Sequence, residues 1–162
     1  MAKEIERKFL VRDESYKTLA TERRELVQAY LSADPKSTVR VRIADGRGYL
    51  TVKGRNSGAV RDEWEYEIPA RDAEEMIERC SSGTVIAKTR HIIPAGKGLK
   101  WEVDEFHGAH EGLVVAEIEL PDKETTFPLP EFIGREVTGD ARYYNSSLSA
   151  SGASGAAAAP RS

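Results

Sequence analysis

Cysteine is nearly absent from this chain: Cys80 stands alone among 162 residues. That excludes an intramolecular disulfide, and no spacing suggests a thiolate metal site. Long apolar runs are missing as well. No stretch approaches the roughly 20 residues a membrane-spanning helix needs, and Met1–Lys8 has no apolar signal core, so cytoplasmic residence without a membrane partner is the expectation. Neither sign of charge dominates. A net charge of −3 gives no global pull toward nucleic acid or anionic lipid, and no nucleic-acid partner is expected. Any polyanionic ligand must be held by cations that the fold gathers locally.

Charge of both signs is abundant, and its placement has a period of two. In Glu4-Ile5-Glu6-Arg7-Lys8-Phe9-Leu10-Val11 a strand puts Glu4, Glu6 and Lys8 on one face, with Ile5, Phe9 and Val11 on the other. The signature recurs. Arg40 and Arg42 alternate with Val39, Val41 and Ile43; Thr51 and Lys53 with Leu50 and Val52; Glu63, Glu65 and Glu67 with Trp64, Tyr66 and Ile68. Lys88 and Arg90 follow, then Glu102 and Asp104 around Val103, and Glu117 and Glu119 around Ile118.

These faces are sorted by sign, strand by strand. A solvated sheet face mixes signs, because opposite charges across strands attract and like charges in a row repel. If the charged faces converge, burying them requires partners, water, metal ions or a polyanion. Carboxylate clusters suit hard cations such as Mg²⁺ or Mn²⁺, and Arg and Lys clusters suit phosphate. Together the two sets describe a site for a metal-bound polyphosphate. The alternative is an open antiparallel sheet with an elaborate solvated face.

The ordered set Glu4-x-Glu6-x-Lys8, Arg40-x-Arg42, Thr51-x-Lys53, Glu65-x-Glu67, Lys88-x-Arg90, Val103-Asp104 and Glu117-x-Glu119 resembles the CYTH domain, the triphosphate tunnel metalloenzyme family. The resemblance runs from about Ala2 to Tyr144. It implies a mainly β, α+β fold: an eight-stranded antiparallel closed barrel whose lumen is a charged tunnel, with apolar faces turned outward and covered by helices. It also implies a metal-dependent hydrolase cleaving tripolyphosphate to pyrophosphate and phosphate, the activity of short bacterial members. The alternatives are a class IV-type adenylyl cyclase, a thiamine triphosphatase and a non-catalytic polyphosphate-binding module.

On that resemblance, Lys8, Arg40, Arg42, Lys53, Lys88 and Arg90 grip the substrate, and Glu4, Glu6, Asp104, Glu117 and Glu119 hold Mg²⁺ or Mn²⁺. Lys8, with Glu4 and Glu6, acts in catalysis, Lys8 by orienting the nucleophile. Glu65 and Glu67 are metal ligands or anchors for neighbouring bases. Tyr30 lines the tunnel or is a half-buried strand aromatic, and Arg142 marks the tunnel end or pairs with Asp140 or Glu136.

Turn residues separate the strands as hairpins: Asp45-Gly46-Arg47-Gly48, Gly54-Arg55-Asn56-Ser57-Gly58 and Ala95-Gly96-Lys97-Gly98. Val27–Ser32 reads as the second strand, with Gln28 and Tyr30 on one face. Helices are expected over Arg71–Cys80, around Asp13–Thr21, and as a cap over Asp140–Ser149. One domain spans 1–148, a size able to bury a core; the Ser/Gly/Ala composition of 149–162 predicts disorder. His107 and His110 read as loop-surface residues, His91, Trp64 and Trp101 as outward packing. A homodimer is the default oligomer.

Overall fold

The computed structural model describes residues 3–151. In chain order the elements are β1 (Lys3–Val11), α1 (Tyr16–Leu19), β2 (Glu22–Ser32), β3 (Thr38–Ala44), β4 (Arg47–Lys53), β5 (Val60–Ile68), α2 (Ala70–Cys80), β6 (Ser82–Gly96), β7 (Leu99–Phe106), β8 (Val114–Glu119), β9 (Ile133–Glu136) and α3 (Asn145–Ser151). The eight expected strands are present, and β9 is a ninth that the sequence reading did not contain. The terminal helix begins at Asn145 after a single 3-10 turn over Ala141–Tyr143 and runs through Ser151. The rest of the tail expected to be disordered lies outside the described residues.

The strands follow the order β5-β4-β3-β2-β6-β7-β8-β1-β9, and β1 returns to pair with β5. That pairing closes the first eight into a barrel, which removes the sheet's free edges. Every strand pairing is antiparallel. Local chemistry fixes the register. Asp45 and Gly46, at φ of 51° and 77°, make the two-residue link that sets Ala44 opposite Arg47, since paired positive-φ turn residues match the twist of a hairpin.

Closure along β1 is incomplete in a way that matters for the site. One edge of β1 pairs with β8 over residues 6–10. Its other edge meets β5 at Lys3–Ile5 and β9 at Phe9 and Val11. Between those contacts, loop atoms take the strand's place: Ala59 O accepts from Glu6 N at 2.9 Å, and Thr138 Oγ1 accepts from Lys8 N at 2.9 Å.

The outward faces form a core, as the alternation requires. Phe9, Val11, Trp101, Val103, Ala116 and Ile118 pack beneath Tyr16 of α1 and the segment carrying Phe127 and Phe132. Trp101 is fully buried, with edge-on rings of Phe9, Phe127 and Phe132 at 5.5, 5.6 and 6.3 Å. Helix α2 lies across β2, β3 and β4; a Cβ on Gly48 would stand 2.8 Å from Ala73 Cβ, so only glycine lets this helix sit so close. The outer face of β5 has no such cover among the described residues, and Trp64 and Tyr66 are exposed.

Charge does not line the whole interior. On the inward positions of β1, β6, β7 and β8, Leu10, Ile86, Phe106 and Val115 join Tyr30, Tyr143 and Leu148 in a second apolar cluster. This cluster closes one end of the lumen, and α3 lies against it. His110, expected on the surface, is buried here: its ring Nε2 lies 2.7 Å from the Leu148 carbonyl of α3. That contact draws the loop inward against the helix. Replacing Trp101 with Ala should lower unfolding stability by about 3–5 kcal/mol, measured as a fall in the urea midpoint; an unchanged midpoint would contradict this placement of the core.

Candidate active site in the barrel lumen

The sorting by sign acquires a spatial meaning once the strand order is known. Going around the barrel, β6, β2, β3 and β4 are neighbours, and so are β7, β8, β1 and β5. The first group carries Lys88, Arg90, Arg40, Arg42 and Lys53; the second carries Asp104, Glu117, Glu4, Glu6, Glu63 and Glu65. The lumen therefore has a basic arc facing an acidic arc. Lys8 of β1 and Arg61 of β5 are the exceptions, bases standing within the acidic arc.

Ion pairs concentrate where the arcs meet. At the β6–β7 seam, Arg90 opposes Asp104 in the register and binds it through two hydrogen bonds of 2.8 and 2.9 Å. Lys88 Nζ lies 2.7 Å from the same carboxylate. At the other seam, Lys53 Nζ contacts Glu63 at 3.2 Å and, across the β5–β1 closure, Glu4 at 3.1 Å. Arg40 Nη2 donates to Thr51 Oγ1 at 3.2 Å and lies 3.6 Å from Glu65.

Away from the seams the balance fails. Arg40 Nε is buried with no hydrogen-bond partner among the described residues, a costly state for a charged donor. Among the described residues Arg42 has no carboxylate within ion-pair distance; its Nε donates to Gln28 Oε1 at 2.9 Å. On the acidic side, Glu6 is pushed well above the usual carboxylate range by burial and by the Glu117 and Glu4 charges. Glu117 is held well below it: burial opposes this, but Lys8 and a hydrogen bond with Glu6 outweigh it. Glu6 therefore holds its proton to higher pH than an ordinary carboxylate, and Glu117 gives its proton up at lower pH.

The lining of this cavity includes seven cations, Lys8, Arg40, Arg42, Lys53, Arg61, Lys88 and Arg90, against three carboxylates, Glu4, Glu6 and Glu117. A chain of net charge −3 thus encloses a local excess of positive charge. The free space is about 70 Å³, room for several waters by that measure. Lys88 feels the crowding: burial lowers its pKa to about 7, Arg90 and Arg42 add to the fall, and Asp104 resists it.

Not every expected site residue reaches the cavity. Asp104 is buried with both oxygens bound to bases, so it anchors Lys88 and Arg90. Glu65 accepts from Thr51 at 2.9 Å and leans on Arg40, which is the anchoring alternative. Glu67 is exposed, and Glu119 stands at a separate cleft with Glu102 and Lys100. Arg142 is paired with Asp140 at 2.8 Å and largely exposed, the capping arrangement rather than the tunnel end. Tyr30 unites its two readings: it lines the lumen and packs in the apolar end. Arg61, Asn56, Tyr144 and Asn145 line the cavity without having been expected. Only Arg61 carried a signal, being in phase with Glu63 and Glu65.

Fold and lining together define the class: a closed antiparallel barrel with a charged lumen suited to a small polyanion. The CYTH domain family matches residues 2–149, and the chain belongs to that family. It is 51% identical over 149 residues to an inorganic triphosphatase of Acetivibrio thermocellus, covering 91% of this chain and 94% of the relative. An inorganic triphosphatase of Nitrosomonas europaea is 32% identical over 151 residues, covering 91% and 97%. A crystal structure of an inorganic triphosphatase superposes with a TM-score of 0.62 at 30% identity, covering 90% of this chain and 96% of that one. A candidate adenylyl cyclase from Hippeastrum with a dominant triphosphatase activity, at 17% identity and a TM-score of 0.59, shares the fold alone.

Asp104 yields a stability test with a definite sign. Its pKa falls to about 2, because Arg90 and Lys88 overcome the burial that would raise it from 3.8. Its contribution is therefore present above the unfolded value and is lost as pH drops through the folded one. Asp104→Asn should cost about 3–5 kcal/mol at pH 7, with the gap to wild type narrowing by about 2.5 kcal/mol between about pH 4 and pH 2 in urea titrations; equal stability at pH 7 would refute the anchoring role.

Proposed function

We propose that the protein is a divalent-cation-dependent inorganic triphosphatase that cleaves tripolyphosphate to pyrophosphate and phosphate. The observation that carries this reading is the lumen's division into two arcs, each incomplete at its centre. The basic arc holds a guanidinium N–H on Arg40 unbonded among the described residues; the acidic arc holds carboxylates crowded enough to raise the pKa of Glu6. A phosphate chain satisfies the first, and a cation the second. The two relatives named inorganic triphosphatase support the same conclusion.

In this reading Arg40, Arg42, Lys53, Lys88 and Arg90 bind the phosphate oxygens and oppose the charge that grows on the pyrophosphate leaving group. Lys8, 3.8 Å from Glu117 and 3.1 Å from the Tyr143 carbonyl, faces the terminal phosphate from the acidic side and orients the attacking water. Glu4, Glu6 and Glu117 are the donors for Mg²⁺ or Mn²⁺. Their chemistry fits, being all oxygen and already mutually repelling. No three such donors converge on one point among the described residues; Glu4 is drawn to Lys53, and Glu6 to Glu117. A divalent cation held there supplies positive charge to the phosphate chain and makes a bound water more acidic. Asp104 and Glu65 serve as anchors, and Glu67, Glu119 and Arg142 stand outside the reacting region.

A second reading has one observation in its favour. A cleft of about 240 Å³ lined by Ala33, Pro35, Arg55, Arg61 and Tyr144 adjoins the lumen and shares Arg61 and Tyr144 with it. That is room for the organic part of a nucleoside triphosphate. Both substrates therefore belong in the test. Incubation with tripolyphosphate and Mg²⁺ or Mn²⁺, followed by ³¹P NMR, should yield pyrophosphate and phosphate, with slower turnover of ATP. Cyclic AMP from ATP would overturn the hydrolase reading. Glu117→Gln should reduce turnover at least about 100-fold while leaving the fold intact, read as an unchanged circular dichroism spectrum.

Because burial and neighbouring carboxylates raise the Glu6 pKa, cation binding competes with protons there. The dissociation constant for Mn²⁺ should fall as pH rises toward the elevated Glu6 pKa, and calorimetry in buffers of different ionisation enthalpy should register proton release. A pH-independent affinity would contradict the raised Glu6 pKa.

A further inference from the structure

Two amides, one buried and one half-buried, connect cations on different strands of the basic arc. Gln28 of β2 is fully buried. Its Oε1 accepts from Arg42 Nε at 2.9 Å, and its Nε2 donates to Asn145 Oδ1 at 3.1 Å. The same Asn145 oxygen accepts from Lys88 Nζ at 2.8 Å. Asn145 is the first residue of α3 and lines the lumen. The direction of the chain is forced from the Arg42 end, because a protonated guanidinium only donates. Gln28 must turn its oxygen to Arg42, which leaves its NH₂ for Asn145, and Asn145 must then present its oxygen to both neighbours.

A carboxylate at either position would make stronger hydrogen bonds. It would also neutralise the cation it held. The neighbouring pairs show the contrast: Arg90 is clamped by Asp104 and Glu102, and Lys53 by Glu4 and Glu63, whereas Arg42 is fixed by an amide. Lys88 shares the Asp104 carboxylate with Arg90 and takes its second bond from an amide. Neutral acceptors thus fix geometry without consuming charge.

We propose that Gln28 and Asn145 are positioning residues that orient Arg42 and Lys88 through neutral hydrogen bonds, keeping their charge available to the phosphate chain. This rests on the reading of Arg42 and Lys88 as phosphate ligands. It assigns a role in substrate affinity to α3, which carries no charged residue over Asn145–Ser151.

The test uses the near-isosteric charge variants Gln28→Glu and Asn145→Asp, with Arg42→Ala as reference, in steady-state hydrolysis of tripolyphosphate. The KM should rise about tenfold in each charge variant, the factor that about 1.4 kcal/mol of lost binding produces, and kcat should change less. Melting temperatures should stay level or rise, since each new carboxylate gains an ion pair. Weaker binding in an equally stable protein is a combination a purely structural role would not give. An unchanged KM in both charge variants, with a raised KM in Arg42→Ala, would overturn the proposal and leave the phosphate assignment standing. An unchanged KM in Arg42→Ala would overturn both. Should the buried Gln28→Glu fail to fold, Asn145→Asp at the half-buried helix start decides the matter alone: a raised KM supports the proposal and an unchanged one overturns it.

Discussion

Everything in this barrel depends on how buried charge of two signs is distributed. Ion pairs inside a protein persist only where each charge finds a partner of good geometry, because desolvation otherwise exceeds their attraction. The strand order solves this at two seams, where basic β6 and β4 lie beside acidic β7 and β5. It leaves the problem unsolved at the two arc centres. Arg40, with an N–H unbonded among the described residues, and Glu6, with its pKa pushed up by burial and neighbouring carboxylates, are the local signs of that deficit. The site exists because pairing is good enough to hold the barrel and too incomplete to be self-sufficient.

The rest of the fold compensates for an interior that supplies little hydrophobic stabilisation. Small barrels usually fill their lumen with apolar side chains; here the main core lies outside, between the wall and the elements around Tyr16, Phe127 and Phe132. Only the inward positions near α3 revert to the usual pattern, with Leu10, Phe106 and Val115 closing one end. The charged volume is thereby confined to the region around Lys8, where β1 lacks a continuous strand partner and loop residues Ala59 and Thr138 complete its hydrogen bonds.

Period-two alternation made the eight barrel strands legible, because parity alone decides which face a side chain joins. The same parity separated His91 and Trp101 from the charged set. It failed where side chains come from irregular backbone. Tyr144 and Asn145 follow a 3-10 turn, and Asn56 and Thr138 sit in loops, so no periodicity marks them. Four residues were too few for an alternation to reveal β9. Parity also cannot say how far along the barrel a residue lies: Glu67, Glu119 and Asp104 share the inward phase with Glu117, yet one is exposed, one stands at a separate cleft and one is consumed by Arg90 and Lys88. The division into arcs needed the strand order, since chain order interleaves acidic and basic strands that the barrel regroups.

The central claim is that a polyphosphate and a divalent cation complete the lumen together. The direct measurement is the melting temperature of the protein with a non-hydrolysable imido analogue of tripolyphosphate, with Mn²⁺, and with both. Ligands that bind only the native state raise its stability in proportion to occupancy. The account predicts that the combined shift exceeds the sum of the separate ones, as each ligand supplies the charge the other arc lacks. Shifts that merely add, or no shift from either ligand, would contradict it.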